Sequence, residues 1–130
     1  MTPEARPLRL IPLEEHMAVC RLRPDDPVPP WATGSFVSVT RTPDELSVVC
    51  PAAEVPDTIR AERNWRAWRV AGTLDFAMVG VLASMATPLA AAGVSIFVIS
   101  TFDTDYLLVR HGMVAAAVKA LRTAGIDISD

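Results

Sequence analysis

The sequence predicts an α+β protein in two parts, and three observations carry that prediction. The first half consists of short β-branched runs broken by proline, of which the 130-residue chain has 11. From Trp65 onward the patterns run strand, helix, strand, strand, helix, strand. With 51% hydrophobic and 21% charged residues, there is enough apolar surface to offset the ordering entropy of one ordinary domain or two very small ones.

Each element has a local reason. Leu8 to Ile11 and Ala18 to Leu22 are strand-like, separated by Pro12 and Glu14-Glu15-His16. The stretch from Arg23 to Pro30 holds four prolines, which lack the N–H a ladder needs, so it is a loop. Phe36 to Thr40 and Leu46 to Cys50 flank the turn Thr42-Pro43-Asp44-Glu45 and make a hairpin. Trp65 to Ala71 alternates as a strand, with Trp68 and Val70 on one face and Trp65 and Ala67 on the other. All three tryptophans read as packing residues, and Arg60, Arg63, Arg66 and Arg69 as a solvent-facing charge run. Val81 to Ala92 fits a helix with a stripe of Leu82, Met85, Ala86 and Leu89, bent at Pro88 and ended by Gly93. A strand from Val94 to Phe102, a tight Asp103-Thr104 turn and a strand from Asp105 to Arg110 follow. The last helix spans Met113 to Ala124, and Ile126 to Ile128 adds a short strand. This order is the ferredoxin-like βαββαβ arrangement, in which one sheet face buries two amphipathic helices and the other face or an edge is left for a partner.

Other classes are disfavoured. A net charge of −3 offers no basic footprint for nucleic acid. Two cysteines and two histidines, without C-x-x-C, build no typical zinc site, so no metal and no cofactor is expected. Cys20 and Cys50 sit among apolar neighbours and read as buried thiols of a reducing cytoplasm. The N-terminus has no apolar core of a secretory signal. Phe76 to Phe102 lacks charge over a span long enough to cross a bilayer. Pro88, Gly93 and the switch to β-branched residues after Gly93 favour a helix followed by a buried strand, and no membrane partner is expected. No catalytic fingerprint is present, so the chain is not expected to be an enzyme.

Three stretches carry a family likeness: Leu74 to Leu82, Pro88 to Ile96, and Ile99 to Val109 with its Ser100-Thr101-Phe102-x-x-Asp105 run. Together they resemble the ACT domain, in the branch of small bacterial proteins related to the animal arginine sensors called CASTOR. Val39 to Leu46 is also similar to this branch, where an abbreviated first ACT-like unit precedes a complete one. The resemblance implies a β-rich half-ACT unit at 1–57 and an ACT domain at 58–130. It further implies a regulatory amino-acid-binding module, a homodimer, and an unidentified target protein. A module that docks on an enzyme without any ligand is the alternative.

Carried over position by position, the resemblance places ligand contacts at Met78, Val79, Gly80 and Val81 in the first strand-to-helix loop, and at Thr101, Phe102 and Asp105 beside it. Ser95 and Ile96 would come from a facing unit. The residue types suit that role. Gly80 lets a ligand approach the main chain, and the opening N–H groups of a helix suit an α-carboxylate. Asp105 suits an α-ammonium, although an aspartate there also fits a purely turn-forming role. The sensors carry an acidic residue near Met78; methionine cannot pair with a cation, which leaves the ligand's side chain open between arginine and a neutral or apolar one.

Overall fold

The computed structural model describes residues 8–71 and 80–129. The chain forms two compact units, Glu14–Arg66 on one side and Met1–Leu13 with Ala67–Asp130 on the other. The first strand groups with the C-terminal part of the chain. No helix among the described residues is long and apolar enough to cross a membrane.

The Glu14–Arg66 unit is built on β2 (Met17–Leu22), β3 (Ser38–Arg41), β4 (Leu46–Pro51) and the first part of β5 (Ala61–Val70). Its strand order is β3-β4-β2-β5, all antiparallel. Alternate residues of β2 and β4 bury Ala18, Cys20, Leu46, Val48 and Cys50 together with Val55. The β3–β4 turn is held as expected by Thr42, whose amide donates to the Glu45 carbonyl at 2.9 Å. Its hydroxyl accepts from the Asp44 and Glu45 amides at 3.2 and 3.1 Å.

Strand β5 starts four residues earlier than the alternation predicts, at Ala61. Between the pairs Met17↔Trp65 and Val19↔Glu62 it carries one extra residue, and Asn64 there has φ +70°. This is a β-bulge, with the extra residue in a left-handed conformation that asparagine tolerates. A bulge breaks the period of two, which is why the run looks like a strand only from Trp65. The arginine series is not uniformly solvent-facing either. Arg60 is exposed, but Arg63 is half-buried and donates to the Val55 and Pro56 carbonyls at 3.1 and 2.8 Å.

The other unit contains β1 (Arg9–Pro12), the end of β5, α1 (Val81–Ala91), β6 (Ile96–Ser100), β7 (Asp105–Arg110), α2 (Val114–Thr123) and β8 (Asp127–Ile128). From β5 onward this is the expected βαββαβ order. Strand β7 pairs with β5 and β6, and β1 lies between β5 and β8, antiparallel to the first and parallel to the second. Leu10, Trp68, Val70, Met85, Leu89, Leu107, Val109, Ala117 and Leu121 form the core. Of the predicted α1 stripe, Met85 and Leu89 are buried and Ala86 is half-buried, while Leu82 faces outward. Both helices end in Schellman motifs. Val94 N–H reaches the Leu89 carbonyl at 2.9 Å and Gly93 N–H reaches Ala90 at 3.0 Å. Ile126 to Leu121 and Gly125 to Arg122, each 3.0 Å, repeat the pattern after α2.

Candidate functional site

The residues singled out from the sequence fall at the start of α1 and along the β6–β7 hairpin. Gly80 is the N-cap of α1 with φ +83°, a conformation other L-residues resist. A side chain there would meet nothing within 4 Å among the described residues, so backbone conformation rather than crowding calls for glycine. The Gly80 carbonyl accepts from both the amide and the hydroxyl of Ser84, at 2.8 and 2.7 Å. That is the first intrahelical bond. The amides of Val81, Leu82 and Ala83 therefore have no acceptor within the helix and carry the positive end of its dipole. Met78 and Val79 lie outside the described residues.

The hairpin is closed differently from expectation. β6 ends at Ser100 rather than Phe102, and the connection is the four residues Thr101 to Thr104. Thr101 and Thr104 make it. The Thr101 amide donates to the Thr104 carbonyl at 2.8 Å, its hydroxyl donates to the same carbonyl at 3.1 Å, and the Thr104 amide reaches the Thr101 hydroxyl at 3.3 Å. Thr104 is 6% exposed and donates its hydroxyl to the Val70 carbonyl at 2.8 Å, which fixes the turn to the end of β5. A two-residue turn could not supply these bonds.

Lengthening the turn changes the partner of Asp105. It sits across from Ser100, whose hydroxyl donates to Asp105 Oδ1 at 2.5 Å. The threonines, not Asp105, shape the turn. Asp105 Oδ2 has no partner among the described residues. Phe102, at the tip, is 80% exposed. Ser100 and Thr104, which hold the acid and the turn, are not among the residues that the family likeness places at the ligand. Their signal was the Ser-Thr…Thr-Asp symmetry about the turn, which becomes meaningful once the register is known.

Ser95 and Ile96 do not join this group within one chain. Ile96 pairs with Val109 at the far end of β6, about 13 Å of strand rise from Ser100. Cys20 and Cys50, in the other unit, are both buried and free. Burial pushes the Cys50 thiol up to about 11 and raises Cys20 as well, so neither is a ready nucleophile. Among the described residues no group of three or more His, Cys, Asp or Glu side chains could hold a metal ion.

Residues 60–123 match the family model described as the ACT domain. A crystal structure of an Agobacterium tumefaciens protein is 36% identical, covers 96% of this chain and 94% of its own, and superposes with a TM-score of 0.90. The chain belongs to the family of that protein and carries an ACT domain. A second family model, described as an N-terminal domain, matches residues 15–58, just ahead of the ACT domain. The human cytosolic arginine sensor for mTORC1 subunit 1 is 39% identical over 59 residues. That stretch is 45% of this chain but only 18% of the sensor's length. The ligand-free regulatory subunit of aspartate kinase from Thermus thermophilus shares the fold, with a TM-score of 0.60, 12% identity and coverage of 85% and 93% of the two chains.

Proposed function

We propose that the chain is a non-catalytic, cytoplasmic regulatory protein that binds an amino acid or a similar small zwitterion between the ACT domains of two copies. The observation that carries this reading is Asp105, with one carboxylate oxygen taken by Ser100 and the other without a partner among the described residues. Its backbone is fixed by the Thr101–Thr104 turn and the Thr104 bond to Val70. The ligand's α-ammonium meets Asp105 Oδ2 in a charge-assisted hydrogen bond, and its α-carboxylate meets the opening amides of α1 after Gly80. The family likeness assigns Met78, Val79 and Val81 to the same ligand, with Thr101 and Phe102 beside it and Ser95 and Ile96 from the second copy. A ligand held by both copies stabilises their association, and so shifts the homodimer or its contact with a target protein.

The ACT domain and the partial likeness to an arginine sensor support this reading. Met78 supplies no charge for a guanidinium, so a neutral or apolar amino acid fits at least as well as arginine. Calorimetry of the purified protein against all twenty amino acids is the test. Binding of at least one, lost in Asp105→Ala with an unchanged melting temperature, is expected. If none binds more tightly than about 1 mM, only about −4 kcal/mol, the reading fails.

A ligand-free docking module is the second reading, favoured by Phe102 at 80% and Leu82 at 44% exposure. One stoichiometric partner in a pull-down, with no response to any amino acid, would select it.

A further inference from the structure

The Glu14–Arg66 unit has a polar feature of its own, far in character from the acid of the hairpin. The end of β2, the turn after it and the segment before β5 enclose an open pocket of about 400 Å³, lined by Arg21, Leu22, Arg23, Pro24, Asp26, Thr58, Ile59 and Arg60. Three arginines and one aspartate thus line it, in a chain whose net charge is −3. Arg21 is engaged, donating to the Asp44 carbonyl at 3.2 Å and lying 3.6 Å from Glu45 Oε1. The guanidinium groups of Arg23 and Arg60 have no hydrogen-bond or ion-pair partner among the described residues. Asp26 forms no ion pair with either; its Oδ2 accepts from the Arg23 amide at 3.0 Å, and its single charge offsets only part of theirs.

The walls are held in place before any ligand arrives. The Arg21 amide donates to the Arg60 carbonyl at 3.0 Å, joining the two sides of the pocket. The Asp26 amide returns a bond to the Arg23 carbonyl at 3.1 Å, and the Arg41 guanidinium donates to the Pro24 carbonyl. Leu22 and Ile59, both packed against the core, form an apolar floor. Two arginines whose guanidinium groups have no partner among the described residues, together with Thr58, suit the acceptor oxygens of a phosphoryl group, and guanidinium is the side chain best suited to bind one bidentately. A volume in the range of small-molecule sites leaves room for more than that group.

We propose that this pocket binds a small phosphorylated organic molecule, its phosphoryl group between Arg23 and Arg60 and its carbon skeleton on Leu22 and Ile59. The site is separate from the zwitterion site and does not depend on it. The test is a titration of the isotopically labelled full chain at low ionic strength with glycerol 3-phosphate, inorganic phosphate and succinate, followed by amide chemical shifts. Glycerol 3-phosphate is expected to shift the amides of 21–26 and 58–60 saturably and to bind at least tenfold more tightly than inorganic phosphate. Arg23→Gln and Arg60→Gln, both at exposed positions, should each weaken it at least tenfold without altering the rest of the spectrum. Equal binding of succinate would overturn the phosphoryl assignment. Equal binding of inorganic phosphate would overturn the organic part. Shifts that persist in the double variant, or no shifts at all, would overturn the site.

Discussion

The two hairpins of this chain are closed by the same device and left in opposite conditions. In each, a threonine at the first turn position bonds the residue three further on. Around Thr42 the chain supplies its own cation to one of the two acids, since Arg21 reaches across from β2 to both the Asp44 backbone carbonyl and the Glu45 carboxylate. Around Thr101 no arginine among the described residues answers the acid. Among the described residues Asp105 has a serine hydroxyl as its side-chain partner, and Phe102 is 80% exposed. An acid matched by a cation of its own chain is a structural group, whereas one matched only by a neutral hydroxyl keeps most of its attraction for an external cation.

The sharpest way to break that comparison is Asp105→Ala. Amino-acid affinity should fall by about 3 kcal/mol, on the order of a hundredfold in Kd, while urea unfolding changes little. A large loss of stability with binding intact would make the two turns equivalent. Next is Thr104→Val, which leaves the buried Val70 carbonyl without its hydroxyl donor; a loss of about 2 kcal/mol of unfolding free energy, read as a lower urea midpoint, is expected. Gly80→Ala meets no steric obstacle, so only the φ of +83° resists it, at about 1 kcal/mol by thermal unfolding. The smallest effect belongs to the first turn. Glu45→Ala removes an ion pair whose side chains are 45% and 42% exposed, and should cost at most about 0.5 kcal/mol, less in high salt.

The cysteines add a pH signature to the Glu14–Arg66 unit. Burial favours the neutral thiols, so the folded chain holds their protons to higher pH than the unfolded chain does. Their contribution to stability is present below the ordinary thiol value near 9 and is lost as pH rises toward about 11, the folded value of Cys50. Denaturation midpoints measured across pH 8 to 11 should fall with increasing pH, and Cys20→Ala/Cys50→Ala should flatten the slope.

The element order was legible because its signals are local. Apolar stripes mark Met85 and Leu89, and Gly93 and Gly125 stop both helices where a left-handed residue is needed. The register of the hairpins was not local. Asp103-Thr104 looks like a sufficient turn until the Thr101 and Thr104 hydroxyls are seen bonding one another's backbones, which moves Asp105 from opposite Phe102 to opposite Ser100. The bulge at Asn64 concealed the start of β5 for a similar reason, since an extra residue erases the alternation by which a strand is read. Placement of β1 between β5 and β8 depends on a pairing over more than a hundred residues, and no pattern within Leu8 to Pro12 encodes it. At the site, residue types pointed to Gly80 and Asp105, while the hydroxyls that hold the acid in place emerged only with the fold.

The most direct measurement is a crystal structure of the protein with the amino acid that binds most tightly in the calorimetric screen. The α-ammonium nitrogen is expected within about 3 Å of Asp105 Oδ2, with the α-carboxylate on the first amides of α1. Density for the amino acid elsewhere, with Asp105 still bonded only to Ser100, would contradict the account.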